Sequence, residues 1–281
     1  MAASLPPVDY SRQTVMVTGA SAGIGAEFAR QLAQRGSDLV LVARRADRLD
    51  ALARELRAGH DITVSTLPLD LTQRDVGELV RHELDTRQIE VTSIVNNAGF
   101  ANHGPFHELD LPRLTSEIAL NASSVVEICH TFLPRLRQRG DGFLINVASM
   151  AAYQANPTMA VYGASKAFVL SFTEALWYEA RGTGLRVLAL SPGATQTEFF
   201  DVAGASADGG SQRMSAGTVV AAALAGLDRR NPPPNVVAGR SNKIAPVVGR
   251  LVGRRRMTEL VGARMTRTSG VGCAVAQPHR P

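Results

Sequence analysis

Tyr162 and Lys166 stand four residues apart in the run Tyr162-Gly163-Ala164-Ser165-Lys166. The chain has 30 basic residues, yet Lys166 and Lys243 are its only lysines. Lysine is a compact ammonium whose pKa responds to its surroundings, whereas arginine is a planar fork that stays charged. A composition that leans so far toward arginine but keeps a lysine here points to a site needing a tunable ammonium beside a phenol. Residues i and i+4 share a helical face. Asn156-Pro157 reads as a helix start, with Asn as cap and Pro in the first turn. The spacing therefore predicts a helix over 157–181 that carries both side chains on one face. A free tyrosine has a pKa of about 10 and is a poor acid or base at neutral pH. Lowering it by roughly three units takes about 4 kcal/mol of differential stabilisation, much of which a nearby ammonium in a partly dry site can supply. The chemistry would be proton transfer to or from an oxygen. Taken alone, the pair also suits an aromatic and a cation side by side on a solvated helix, so the rest of the chain must decide.

The elements that would hold this pair alternate in type. Thr14–Val17, Asp38–Val42, Ile62–Leu67, Val91–Val95, Phe143–Val147, Leu185–Leu190 and Val236-Val237 are short apolar, β-branched runs. Amphipathic segments separate most of them, as where Ile24, Phe28 and Leu32 recur at helical spacing. Such alternation predicts an α/β fold with a doubly wound, mainly parallel seven-stranded sheet and helices on both faces. Residues 203–211, rich in Gly, Ser and Ala, read as a mobile loop, and Pro232-Pro233-Pro234 as a rigid connector.

The first strand runs into Thr18-Gly19-Ala20-Ser21-Ala22-Gly23-Ile24-Gly25 and then a helix. Small residues between strand and helix let backbone approach a pyrophosphate, and the helix N-terminus favours the anion. Gly19, Ser21, Gly23, Ile24 and Gly25 are thus candidate dinucleotide-binding residues. The second strand ends Val42-Ala43-Arg44-Arg45. An acid there would suit a ribose 2′-hydroxyl. Two guanidiniums suit a 2′-phosphate instead, so Arg44 and Arg45 predict NADP(H).

Together these residues resemble the short-chain dehydrogenase/reductase family over roughly residues 12–200, with the motifs in the family's order. The resemblance implies a Rossmann-like fold. It implies further cofactor contacts from Asp70-Leu71 after the third strand, from Asn97, Ala98 and Gly99 in Asn96-Asn97-Ala98-Gly99, and from Pro192, Gly193, Thr195 and Thr197 over the nicotinamide. It gives Tyr162 the role of general acid in carbonyl reduction and of base in alcohol oxidation. Lys166 would lower the tyrosine pKa and bind the nicotinamide ribose. Ser149 would hold the substrate oxygen, and Asn121 would fix a water in a relay to Lys166. Met150, Ala151, Ala152, Ala155, Met159, Phe199 and Phe200 make the expected pocket apolar, favouring a hydrophobic ketone, aldehyde or secondary alcohol. A second class stays open: an NADP-binding sensor or interaction protein on the same fold. The family implies a homodimer or homotetramer.

Charge divides the chain. Residues 1–228 hold 19 basic and 24 acidic side chains, and residues 229–281 hold 11 basic ones against Glu259 alone. The reading is a catalytic, NADP-binding domain over 1–240 and a basic, partly helical extension over 241–281 with a disordered end. From Ile244 to Met265 the pattern predicts one or two short basic amphipathic helices. They would pack on the body as a lid or subunit contact, or touch an anionic membrane peripherally. The near absence of aromatics there argues against nucleic acid. Met1–Tyr10 lacks the pattern of a secretory signal and no apolar run reaches membrane-spanning length, so a cytoplasmic setting is expected. Cys129 reads as a core thiol, and Cys273 is too distant for a ligand pair. His103 and His107 flank Gly104-Pro105, which breaks any helical metal spacing; no metal is expected.

Overall fold

The computed structural model describes residues 5–239, 242 and 253–269. Seven strands form one all-parallel sheet in the order β3-β2-β1-β4-β5-β6-β7. They are β1 (Thr14–Thr18), β2 (Asp38–Ala43), β3 (Val64–Pro68), β4 (Ser93–Asn96), β5 (Phe143–Val147), β6 (Arg186–Ser191) and β7 (Asn235–Val237). The helices between them are α1 (Gly23–Ala33), α2 (Ala46–Gly59), α3 (Val76–Thr86), α4 (Leu111–Ile118), α5 (Ser124–Arg139), α6 (Ala160–Glu179), α7 (Phe199–Ala203) and α8 (Ala216–Leu227). A further helix, α9 (Arg254–Ser269), follows β7.

Alternation along each strand divides the core into two layers. Val15, Val17, Leu39 and Leu41 pack with Phe28, Leu32, Leu49 and Leu224 of α1, α2 and α8. Met16, Val40 and Val42 pack on the other face with Val80, Ile128, Phe132 and Leu176 of α3, α5 and α6. Side chains that point alternately to two covered faces must be apolar throughout, which is why these strands read as unbroken apolar runs. The seven expected strands are present, with ends displaced by a residue or two.

One expectation changes in detail. The helix that carries Tyr162 and Lys166 does not start at Asn156-Pro157. It starts at Ala160, after Met159. The Asn156 amide instead donates to the carbonyls of Ala151 and Gln154, each at 2.7 Å, and Thr158 turns through φ +67°. Asn156 thus ties down the loop that follows Ser149, and Gly163 leaves room for it: a Cβ there would lie 2.4 Å from Asn156 Nδ2. Residues 203–211, read as a loop, hold the end of α7 and a 3-10 turn, Ala205–Asp208. Of the basic extension, α9 is a single helix; the expectations for 243–252 and 270–281, with Lys243 and Cys273, lie outside the described residues.

A buried polar chain ties the strand ends to α6. Asn96 Nδ2 donates to Asn146 Oδ1 at 2.9 Å, and Asn146 Nδ2 donates to Thr173 Oγ1 at 3.0 Å. Cys129 lies beside them, 2% exposed, its thiol pushed up to about 12 by burial. Replacing Asn146 by leucine strips Asn96 and Thr173 of this partner. The expected cost is about 1–3 kcal/mol, read as a lower denaturation midpoint by circular dichroism with an unchanged native spectrum.

Candidate active site

Parallel strands that reverse order leave a crevice at their C-terminal ends. Here the reversal lies between β1 and β4, and a cavity of about 520 Å³ opens there. Its floor is the loop after β1. Gly19 and Gly23 adopt φ +67° and +57°, a region that favours glycine. A Cβ on Gly19 would fall 2.8 Å from Asn97 Nδ2, and one on Gly23 would fall 2.9 Å from a Thr197 methyl carbon. Gly25 stands behind the wall, where a Cβ would lie 2.3 Å from the Gly19 carbonyl oxygen. The loop is therefore a backbone cradle that side chains would fill, opening at the start of α1. That form and its polarity fit the pyrophosphate of a dinucleotide.

Ser21, Ile24, Asn97, Ala98, Gly99, Pro192, Gly193, Thr195 and Thr197 join these glycines around the cavity. Thr18 organises this end of the sheet, its Oγ1 accepting from the backbone N–H groups of Asn97 and Ala98 at 2.9 and 3.0 Å. Arg44 and Arg45 stand exposed on the rim. Arg45 donates to Ser21 Oγ at 2.9 and 3.2 Å and pairs with Glu198 at 2.9 Å; Arg48 also pairs with Glu198. The two guanidiniums hold the Glu198 carboxyl below its ordinary pKa. Asp70 and Leu71 are not among the lining residues; Asp70 Oδ1 accepts from the N–H and hydroxyl of Thr72 in a local turn.

At the opposite end Tyr162, Lys166 and Ser149 line the cavity together. One helix turn separates the first two, and the start of the 3-10 turn after β5 brings Ser149 to them. The Tyr162 ring lies 5.4 Å from that of Phe199, and Lys166 Nζ lies 6.0 Å from the Tyr162 ring centre. Lys166 is 5% exposed and donates to the Val147 carbonyl at 2.8 Å. Burial pulls its pKa down to about 8 and, against a hydrogen bond from Ser149, pushes the Tyr162 phenol up to about 12. In the protein alone, desolvation therefore outweighs the expected downward pull on the tyrosine.

Asn121 also stands behind the wall. The chain from Ala119 to Ser123 forms one π-helical turn between α4 and α5, a distortion frequent at functional sites. It turns Asn121 toward the loop after β4. Its Oδ1 accepts from Phe100 N–H at 3.1 Å, and its Nδ2 donates to the Phe100 carbonyl at 2.8 Å and to Ser165 Oγ at 3.3 Å. Asn121 thus fastens that loop to α6 beside Lys166.

The short chain dehydrogenase family profile matches residues 13–207. The chain belongs to that family. As a short-chain dehydrogenase it is an oxidoreductase acting between CH–OH and C=O groups. It is 38% identical over 187 residues to sulfoacetaldehyde reductase 2 of Chromohalobacter salexigens, a match spanning 66% of this chain and 73% of that one. Among solved structures, a short-chain dehydrogenase from Sphingobium yanoikuyae in complex with NADPH shares 34% identity and a TM-score of 0.74, covering 95% of this chain and all of that one. A bulky-bulky ketone specific alcohol dehydrogenase from Comamonas testosteroni shares 30% identity and a TM-score of 0.70, over 95% and 98% of the two chains.

In this short-chain dehydrogenase the sequence pattern did not single out Arg48 and Glu198, whereas the helical character of the basic extension, now α9, was expected. Val261, Arg264 and Met265 of α9 line the cavity, and Met265 packs with Ala101, Met159 and Ala203. Arg264 Nε donates to the Gly209 carbonyl at 2.7 Å. Glu198 lies some 150 positions from Arg48, and no local pattern links them. Among the described residues no His, Cys, Asp and Glu cluster suits a metal ion, and no helix is long and apolar enough to cross a membrane.

Gly25→Ala tests the cradle. The added methyl must displace the Gly19 carbonyl, so dinucleotide affinity, measured by calorimetry, is expected to fall by at least about tenfold while the fold persists. Unchanged affinity would mean that this loop is not the binding surface.

Proposed function

We propose that this chain is an NADP(H)-dependent reductase of hydrophobic ketones or aldehydes, reversible toward the secondary alcohols. The observation that carries the reading is the position of Tyr162, at the junction of a glycine-lined anionic cradle and an apolar chamber. The cradle residues, with Asn97, Pro192, Gly193, Thr195 and Thr197, would hold the dinucleotide, and Lys166 and Tyr162 its ribose end. When bound, the nicotinamide supplies or accepts the hydride. Tyr162 gives the proton to the carbonyl oxygen in reduction and takes it back in oxidation. Ser149 donates to the same oxygen as negative charge develops. Lys166 lies where its charge favours the phenolate left behind.

NADP(H) is preferred over NAD(H) because Arg45 and Arg48 already grip an oxyanion, the Glu198 carboxylate. Both ion pairs are about 40% exposed, so each contributes only about 0–1 kcal/mol, and a 2′-phosphate displaces Glu198 at small cost. The NADPH complex of the Sphingobium relative supports the same choice. The chamber favours an apolar substrate: Tyr162, Phe199 and Val261 belong to one apolar cluster with Met159, Ala203 and Met265, and the Comamonas relative is described as a bulky-bulky ketone specific alcohol dehydrogenase. We read α9 as a lid over this chamber, with 1–240 as the catalytic domain.

Two measurements check this reading. Tyr162→Phe should lower kcat for ketone reduction by about 10²–10⁴-fold while NADPH binding survives; substantial residual turnover removes the assigned role. The double variant Arg45→Ala, Arg48→Ala should raise KM for NADPH by about tenfold or more and leave KM for NADH nearly unchanged. Equal effects on both cofactors would contradict the phosphate role.

A further inference from the structure

Glu198 joins the two ends of the cavity. Its two carboxylate oxygens are held by different arginines: Arg45 donates to Oε2 at 2.9 Å, and Arg48 donates to Oε1. Both arginines come from the junction of β2 and α2. Arg45 also reaches Ser21 of the glycine loop, and Ser21, Arg45 and Glu198 all line the cavity. Glu198 thus fills, from within the chain, two forks whose geometry suits an oxyanion.

The chain around Glu198 is anchored on one side and hinged on the other. Gln196 N–H donates to the Met214 carbonyl and Met214 N–H to the Ala194 carbonyl, each at 2.8 Å. Thr197 sits against Gly23 of the cradle. Glu198 then stands at the head of α7, whose five residues end at Gly204 with φ +93°. A glycine in that region gives the chain freedom to turn. Phe199 follows directly, its ring 5.4 Å from that of Tyr162, and Phe200 meets Phe199 edge-on at 5.3 Å. One peptide bond therefore separates the residue held in the arginine forks from the ring that lies against the phenol. A bulky ketone that reaches the Tyr162 hydroxyl must part these rings.

We propose that Glu198 is a specificity-determining latch: it fills the arginine forks until the cofactor's 2′-phosphate takes them, and its release frees Phe199 to make room for the ketone beside Tyr162. The proposal rests on Arg45 and Arg48 receiving that phosphate. A phosphate monoester carries more charge than a carboxylate, and the ion pairs that it replaces are exposed and weak. Once the phosphate is seated, like charge drives the carboxylate away, since the two lie within a Debye length of about 8 Å. NADH brings no charge to the forks. With NADH the latch stays closed, and the ketone itself must break both ion pairs. Discrimination between the cofactors therefore extends to the substrate side of the site.

Calorimetry and steady-state kinetics on the full chain test this. In the wild type, KM for a bulky apolar ketone should be higher with NADH than with NADPH. Glu198→Gln keeps the shape of the side chain and removes its charge. It should tighten NADPH binding by about three- to tenfold and change NADH binding by less than about twofold. It should also bring the ketone KM measured with NADH down to the value measured with NADPH. In the Arg45→Ala, Arg48→Ala background the same substitution should change none of these. NADPH affinity that is unchanged or weaker in Glu198→Gln overturns the proposal, as does a ketone KM that keeps its wild-type ratio between the cofactors. Hydrogen exchange reads the latch in the unaltered chain. Adenosine 2′,5′-bisphosphate should speed amide exchange over 199–203, and adenosine 5′-monophosphate should not; an equal response to the two overturns the proposal. Equal weakening of NADPH and NADH by the arginine substitutions would instead remove the phosphate reading itself.

Discussion

The site depends on keeping an ammonium where water is almost excluded. Lys166 is enclosed by the end of β5, by Gly99 and by its own helix, and among the described residues it donates to the Val147 carbonyl. Its pKa falls from 10.5 to about 8, a cost of roughly 3 kcal/mol to the charged form. Much of the nearby architecture holds this arrangement. The Asn96–Asn146–Thr173 chain joins β4 and β5 to α6, Asn156 secures the loop after Ser149, and the π turn aims Asn121 at the backbone beside Gly99. Dry surroundings make each remaining polar contact stronger and each unpaired group more costly.

The cavity has two chemical ends. Backbone N–H groups, a helix N-terminus and the Arg45 and Arg48 forks gather at one. Phenyl, thioether and aliphatic groups gather at the other. Tyr162 stands at the boundary, its ring against Phe199 and its hydroxyl near Ser149. A ligand with an anionic end and an apolar partner suits both. The Glu198 pairing links the ends, because the segment that carries Glu198 continues into Phe199 and Phe200 of α7.

Much of this was legible in the chain. Strands covered on both faces must be apolar at every position, so their runs stand out. Glycines that a Cβ would block cannot be exchanged freely, so Gly19, Gly23 and Gly25 marked the cradle. The rare lysine marked the buried ammonium. Features that depend on distant partners were not legible. Asn156 has the residue type of a helix cap, but the carbonyls of Ala151 and Gln154 claim its amide. Glu198 carries no local sign that two arginines from another strand–helix junction will hold it. The π turn leaves no signature in Ala119–Ser123. The expected drop in the Tyr162 pKa assumed that a neighbouring charge outweighs burial, and in the folded chain burial is the larger effect.

The central claim is that the pocket needs a tunable, compact ammonium behind the tyrosine. Steady-state reduction of an apolar ketone by Lys166→Arg, with NADPH saturating, measures this most directly. A guanidinium keeps the positive charge but cannot fit the space beside Gly99 or give up a proton. The account predicts a fall in kcat/KM of at least about a hundredfold. Activity within a few-fold of the wild type would contradict it, because positive charge alone would then suffice.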